Sequence, residues 1–262
     1  MTVTDTHAPG TFCWADLGTP DAAAAKRFYT GLFGWHSDDR PAGPDATYTM
    51  FDLGGKAVAA LYQQDPQQLA QGVPPHWLSY LSVESADDTA QRTRGLGGTV
   101  IMDPFDVLDV GRMALIQDPT GAVVALWEPR RHVGAGVVGE PNALCWNELA
   151  TTSVAQAGAF YGGLLGWAAE ARPMGSFTYT YFRQGERFCG GMMQILPEWG
   201  PVPPHWLVYF AVDDCDEKAS RAQQLGGRLR APPTDVPEVG RFAVVQDPHG
   251  AVFAIIRLVS DK

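Results

Sequence analysis

The chain is written twice. Val73-Pro74-Pro75-His76-Trp77-Leu78-Ser79-Tyr80 returns as Val202-Pro203-Pro204-His205-Trp206-Leu207-Val208-Tyr209, so His76 and His205 lie 129 residues apart. Gly111-Arg112 and Gln117-Asp118-Pro119-Thr120-Gly121-Ala122-Val123 return at the same spacing as Gly240-Arg241 and Gln246-Asp247-Pro248-His249-Gly250-Ala251-Val252. Nearer each start, Cys13-Trp14, Phe28-Tyr29 and Gly34-Trp35 return as Cys145-Trp146, Phe160-Tyr161 and Gly166-Trp167, 132 residues later. A match running end to end with one small net deletion is a duplicated domain of about 130 residues, well above the roughly 20–50-residue period of solenoid repeats. At 262 residues, each copy is long enough to bury its own core.

The boundary is expected at residues 130–141, a Gly- and Pro-rich linker between a first domain (11–129) and a second (142–262), with residues 1–10 as a flexible lead. A net charge of −10 argues against nucleic acid or an anionic membrane surface as partner. The apolar runs are far shorter than the ~20 residues needed to span a bilayer. Four cysteines without a C-x-x-C pair fit buried thiols in a reducing, cytoplasmic setting.

Within copy one, strand-like and helical segments alternate. Residues 11–17 read as a strand, and Thr19-Pro20 reads as the N-cap and first position of a helix with Ala22, Ala25, Phe28, Tyr29 and Leu32 on one face. Residues 48–53 and 56–63 flank Gly54-Gly55 as a hairpin. A strand at 77–83, a helix at 87–96, a short strand at 99–102 and a hairpin of 111–117 with 123–127 complete the copy. Copy two follows the same plan, with helices at 153–164 and 214–225. Each copy is therefore itself a pair of βαβββ modules, and the fold class is α+β.

The ordered set Phe28-Tyr29-x-x-Leu32-Phe33-Gly34-Trp35, Leu96-Gly97-Gly98 and Asp118-Pro119-Thr120-Gly121, all repeated in copy two, resembles the vicinal oxygen chelate superfamily of glyoxalases, bleomycin-resistance proteins and extradiol dioxygenases. More narrowly it resembles the tandem two-domain actinobacterial glyoxalase-like branch, which includes mycobacterial antigens and proteins that accompany anthracycline hydroxylation. The resemblance implies paired modules whose curved mixed sheets form a cup around a small molecule. In that superfamily a divalent metal usually sits in the cup, held by His, Gln or Glu from the first, fifth and eighth strands. Here the corresponding positions are Trp14, Leu78 and Ala125 in copy one and Trp146, Leu207 and Ala254 in copy two. Indole, isobutyl and methyl groups offer a cation no donor. The expectation is therefore no metal and no cofactor.

Period-2 alternation places Trp14 with Asp16, Trp146 with Glu148, and His76, Leu78 and Tyr80 with their mates His205, Leu207 and Tyr209 on the cup face. The candidate ligand-binding residues are Trp14, Trp77, Tyr80 and Trp127 in copy one. In copy two they are Trp146, Glu148, His205, Trp206 and Tyr209, with Met192, Met193 and Trp199 at the mouth. Plugging of a redundant cavity by these aromatics is the competing reading, in which Arg112 and Arg241 would pair with the carboxylates. His76 and His205 either anchor their Pro-Pro turns or meet the ligand. Trp199, with no aromatic counterpart in copy one, is either a lid or packs on its own domain.

These residues point to a metal-free binding protein for a small apolar or aromatic, polyketide-like metabolite, in self-resistance or as helper to a biosynthetic enzyme. The alternatives are a metal-independent isomerase, lyase or cyclase using Asp16, Glu148, His76 or His205 as acid or base, or a glyoxalase or dioxygenase with displaced ligands. The expected site is in copy two, and the expected state is a monomer or homodimer.

Overall fold

The computed structural model describes residues 4–43, 46–175 and 177–259. Residues 1–3 of the expected lead and 260–262 of the expected second domain lie outside them. Copy one contains β1 (Phe12–Thr19), α1 (Ala22–Phe33), β2 (His36–Pro41), β3 (Thr47–Leu53), β4 (Lys56–Gln63), α2 (Pro66–Ala70), β5 (His76–Ser82), α3 (Ala86–Gly95), β6 (Thr99–Val107), β7 (Gly111–Gln117) and β8 (Val123–Pro129). Copy two contains β9 (Leu144–Thr151), α4 (Val154–Leu165), β10 (Ala168–Met174), β11 (Phe177–Gln184), β12 (Arg187–Gln194), β13 (His205–Ala211), α5 (Cys215–Gln224), β14 (Arg228–Val236), β15 (Gly240–Gln246) and β16 (Val252–Leu258). Each copy forms one eight-stranded mixed sheet, ordered β2-β3-β4-β1-β5-β8-β7-β6 and β10-β11-β12-β9-β13-β16-β15-β14. The first strands of the two modules pair antiparallel at the centre of each sheet, β1 with β5 and β9 with β13.

Local chemistry explains most of these elements. α1 is capped by Asp21, whose carboxylate accepts the Ala24 N–H at 2.9 Å, and stops at Gly34 in the left-handed conformation. The cap is thus Asp21 and not Thr19, because Thr19 is still the last residue of β1. Two elements carried weak or overlooked signals. β2 (His-Ser-Asp-Asp-Arg-Pro) is an almost wholly exposed edge strand without apolar alternation. α2 is a single turn whose Asp65–Gln68 capping box was present in the sequence.

The two sheets stack back to back with the long helices between them, and the modules pair across the copies. One core joins α1, Trp35 and Phe51 of the first module to Phe210, α5 and Phe253 of the last. The other joins Leu81, Ile116 and Leu126 to α4, Trp167 and Phe182. Two buried relays pass through these cores. Trp77 Nε1–H donates to Tyr29 Oη (3.0 Å), which donates to Asp247 Oδ2 of the other copy (3.0 Å). Symmetrically, Trp206 Nε1–H donates to Tyr161 Oη (2.8 Å), which donates to Asp118 Oδ2 (3.0 Å). The other oxygen of each aspartate accepts backbone N–H groups of its own Asp-Pro-x-Gly turn. At the centre Ser79 Oγ donates to Asn147 Oδ1 at 2.6 Å.

The segment expected to be a linker is built into copy one. Ala135 N–H donates to Cys13 O and Gly136 N–H to Ala57 O, both at 2.8 Å. At Gly134 (φ +117°) a Cβ would lie 2.4 Å from Cys13 O, so only glycine lets the strap lie on β1. The lead is held as well: Thr4 N–H bonds Gly136 O, His7 Nε2 meets Ala135 O, and Trp167 Nε1–H donates to Gly10 O. Residues 4–10 are therefore part of the assembly and not a flexible lead.

Two outcomes test this packing. A fragment of residues 1–139 should aggregate or self-associate in light scattering, because it exposes the inward faces of α1 and α3. Tyr29→Phe and Tyr161→Phe should each lower the unfolding free energy in urea by about 2–3 kcal/mol, since each orphans a buried indole N–H and a carboxylate oxygen.

Candidate ligand site in the two cups

The outward, concave face of each sheet carries the residues that alternation predicts. In copy one Trp14, Leu78, Tyr80, Ala125 and Trp127 form one cluster. In copy two the cluster is Leu207, Tyr209, Ala254 and Ile256, with Trp146, Phe242 and Val252 packed against it. Trp77 and Trp206 do not face the cups. Each follows a cup-facing histidine by one residue, so it points to the opposite side and serves the relays described above. Met192 likewise lies in the inter-sheet core, against α4, whereas Met193 is half-buried on the cup side of β12.

Each cup holds one carboxyl group cradled by tyrosines from two modules. Tyr48 and Tyr80 donate to the same oxygen, Asp16 Oδ2, at 2.9 and 2.8 Å, and Trp14 Nε1–H donates to Tyr48 Oη at 3.0 Å. In copy two Tyr209 donates to Glu148 Oε1 at 3.1 Å, Tyr179 also bonds Glu148, and Trp146 Nε1–H donates to Tyr179 Oη at 2.9 Å. A Cβ at Gly191 would lie 2.1 Å from Tyr179 Oη, so glycine there lets this tyrosine lie across β12. Arg112 and Arg241 do not serve the carboxyls. Arg112 pairs with Asp87 and Asp106, and Arg241 with Asp216 and Asp235. Sequence reasoning missed Tyr48 and Tyr179, although the three-residue pattern Thr-Tyr-Thr recurs around both.

Burial dominates the titration of these groups. Asp16, 2 % exposed, is pushed up to about 6 by desolvation, against the opposing hydrogen bonds of Tyr80 and Tyr48. Its Oδ1 is buried without a partner. Glu148 is raised by the same cause, against Tyr179 and Tyr209. His76 and His205 turn their Nδ1 toward the carbonyls of Pro74 and Pro203, at 2.8 and 2.9 Å, which anchors the Pro-Pro turns. Burial lowers His205.

The cups differ in cover. The strap presses the edge of the His132 ring onto Trp14 (centroids 4.7 Å apart), and Trp14 is only 2 % exposed. His132, which carried no role in the sequence, is pushed down to about 4 by burial, then by the charges of Arg40 and His7. Its Nε2 is buried without a partner. A cavity of about 350 Å³ lies beside it, between the strap and the β2–β3 hairpin, with Arg40, Met50 and Asp52 in its wall. Trp146 and Glu148 are half-buried, and the adjoining wall carries half-buried Tyr181 and exposed Phe188, with the Arg172 guanidinium 5.2 Å from the Tyr181 centroid. Trp199 is exposed at the end of a short 3-10 turn (Pro197–Trp199).

The superfamily metal does not fit these residues. The positions of its ligands carry indole, isobutyl and methyl groups, and the floor carboxyls Asp16 and Glu148 are engaged by tyrosine hydroxyls. Among the described residues no three His, Cys, Asp or Glu side chains converge to hold a metal.

Sheet order, cups and duplicated motifs define a tandem glyoxalase-type fold, and the family model agrees. The chain belongs to the Glyoxalase/Bleomycin resistance protein/Dioxygenase superfamily, whose model matches residues 11–126 and 143–255. It is 44 % identical over 253 residues to CFP32 of Mycobacterium tuberculosis, named as a candidate glyoxylase, covering 96 % of both chains. It is 41 % identical over 264 residues to the anthracycline biosynthesis protein DnrV of Streptomyces peucetius, covering 96 % of this chain and 94 % of that one. Among solved structures, a Mn(II)-bound glyoxalase from Novosphingobium aromaticivorans matches with a TM-score of 0.65 at 18 % identity, covering 95 % of this chain and 82 % of that one. The 2,3-dioxygenase LapB from Pseudomonas sp. KL28 matches with a TM-score of 0.65 at 13 % identity, covering 94 % and 91 %. These last two likenesses concern the fold. No helix among the described residues is long and apolar enough to cross a membrane.

Asp16 makes a pH prediction. Its folded pKa lies above the ordinary value of 3.8, so as pH rises from about 4 to about 6 the unfolded chain loses the proton first and the native state loses stability. The loss is on the order of 3 kcal/mol and is complete above the folded pKa. Asp16→Asn should flatten this part of the melting-temperature profile and melt higher than the parent at pH 8. An unchanged profile would show that the group titrates normally.

Proposed function

We propose that the protein is a metal-free binding protein for a planar aromatic metabolite, with its site in the cup of copy two, and that it assists a biosynthetic enzyme or confers self-resistance. The observation that carries this reading is the half-buried Trp146 ring, tethered through its N–H to Tyr179 beside Glu148 and continuous with Tyr181 and Phe188. Such a wall gains affinity from burial and ring contact, and the carboxyl with its tyrosines supplies a few oriented polar groups. The name of the anthracycline-biosynthesis relative supports a polyketide-like ligand. In copy one the equivalent indole is already covered by His132, which disfavours that cup.

Titration of an aglycone of the anthracycline type by calorimetry tests the proposal. Trp146→Ala should weaken binding by about 1–3 kcal/mol, as for truncation of a buried aromatic anchor. Trp199→Ala should also weaken it if the turn closes over the ligand, Trp14→Ala should not, and manganese or zinc should leave the affinity unchanged. Loss of binding in Trp14→Ala with none in Trp146→Ala would move the site to copy one.

A second reading, acid–base catalysis without metal, is favoured by the carboxyls of Asp16 and Glu148, which burial raises toward neutrality. It requires turnover that Glu148→Gln or Asp16→Asn abolishes while ligand binding persists.

A further inference from the structure

Glu148 is a carboxyl without a counter-charge. Glu170 and Glu186, on the same β10–β12 wall of the second cup, both have cations: Glu170 pairs with Arg172 and Arg183, and Glu186 with Arg183. Glu148 meets hydroxyl groups instead. Tyr209 donates to Oε1 at 3.1 Å, and Tyr179, whose oxygen accepts the Trp146 N–H, also bonds it. Hydrogen bonds donated to a carboxyl favour its charged form, and burial disfavours it. Burial raises the Glu148 pKa, only the two phenols oppose that shift, and no cation does. A charge withdrawn from water in this way ordinarily has an opposite charge beside it.

Ring faces surround the same group. The Tyr179 and Tyr181 centroids are 4.9 Å apart, and Trp146 and Tyr181 6.3 Å. This wall already attracts cations of the chain itself. The Arg172 guanidinium lies 5.2 Å from the Tyr181 centroid and 5.8 Å from that of Phe188, and Arg183 lies 5.0 Å from Phe188.

The first copy is an internal control. It keeps the carboxyl, the two phenols and the bracing indole, but Asp16 is one methylene shorter and buried, and His132 covers Trp14. Met50 and Ala57 stand there in place of Tyr181 and Phe188. The extra ring faces therefore occur only beside Glu148, the half-buried carboxyl that a ligand can reach.

We propose that the second cup takes an organic cation, an aromatic molecule carrying a protonated amine, with its ring on Trp146 and its ammonium group against Glu148. This names the ligand class of the cup described under the proposed function and rests on that reading. The ammonium supplies the counter-charge that the chain does not, and the ring faces attract it through their quadrupoles. The net charge of −10 draws cations toward the protein. An anionic ligand would set two like charges together in a site withdrawn from water.

Fluorescence titration of the full chain with three anthracene probes tests this. They are 9-(methylaminomethyl)anthracene, its neutral counterpart 9-(methoxymethyl)anthracene, and anthracene-9-carboxylate. At about pH 7.5 the amine is protonated, as an alkylamine with a pKa near that of lysine. It should bind roughly tenfold or more tightly than the ether, and the carboxylate should bind most weakly. Glu148→Gln should erase the preference, so that amine and ether bind alike, whereas Trp146→Ala should weaken both. Equal affinity of the wild type for amine and ether, lowered in both by Trp146→Ala, would leave the aromatic cup standing and overturn the cation. A preference for the amine that survives Glu148→Gln would overturn it too, because the overall charge of the chain would then account for it. If no probe binds, the cup and the cation fall together. The comparison of probes on the wild type needs no variant and stays decisive should Glu148→Gln fold poorly.

Discussion

The structure depends on two buried phenol–carboxylate hydrogen bonds, Tyr29 to Asp247 and Tyr161 to Asp118. Each begins on the long helix of one copy and ends on the last turn of the other. Each tyrosine is fixed from behind by an indole N–H, and each aspartate is fixed by the backbone of its turn. A buried phenol and a buried carboxylate would both be costly alone, and together they are satisfied only when the two sheets are stacked in this register. Burial and the neighbouring aspartate both hold the tyrosines in the neutral, donating form. The repeated Phe-Tyr and Asp-Pro-x-Gly motifs are therefore two ends of one device.

Because the helical faces are consumed in this stacking, both concave faces point outward. Among the described residues no three His, Cys, Asp or Glu side chains converge on them. A carboxyl group and two phenols, one from each module, occupy the floor, and an indole braces one phenol. The relay links strands β1, β3 and β5 and their duplicates, so it reinforces each cup across the module boundary. The price of that arrangement is a buried carboxyl whose charge is poorly solvated, most acutely at Asp16, where one oxygen has no partner.

The two copies have diverged around this shared floor. In copy one a strap with Gly134 at its closest approach lays His132 on the indole and Ala135 on Cys13. In copy two the places of Met50 and Ala57 are taken by Tyr181 and Phe188, and the indole is less covered. Duplication thus frees one copy to be closed while the other keeps accessible aromatic surface.

The sequence by itself determined the duplication, the module order, the helices and the face on which Trp14, Asp16, Leu78 and Tyr80 lie. These follow from local periods of two and 3.6 residues and from caps and turns within a few positions of one another. It also contained the absence of donor side chains at the superfamily's ligand positions. Tertiary structure alone decided which module packs on which, and so that Trp77, Trp206 and Met192 belong to the core between the sheets. It alone showed that Tyr48 and Tyr179 hold the carboxyls in place of Arg112 and Arg241, and that residues 130–139 cover a cup. The physical reason is distance along the chain. Tyr29 and Asp247 are 218 residues apart and Tyr48 and Asp16 are 32 apart, and such partners meet only when strands have paired and sheets have stacked.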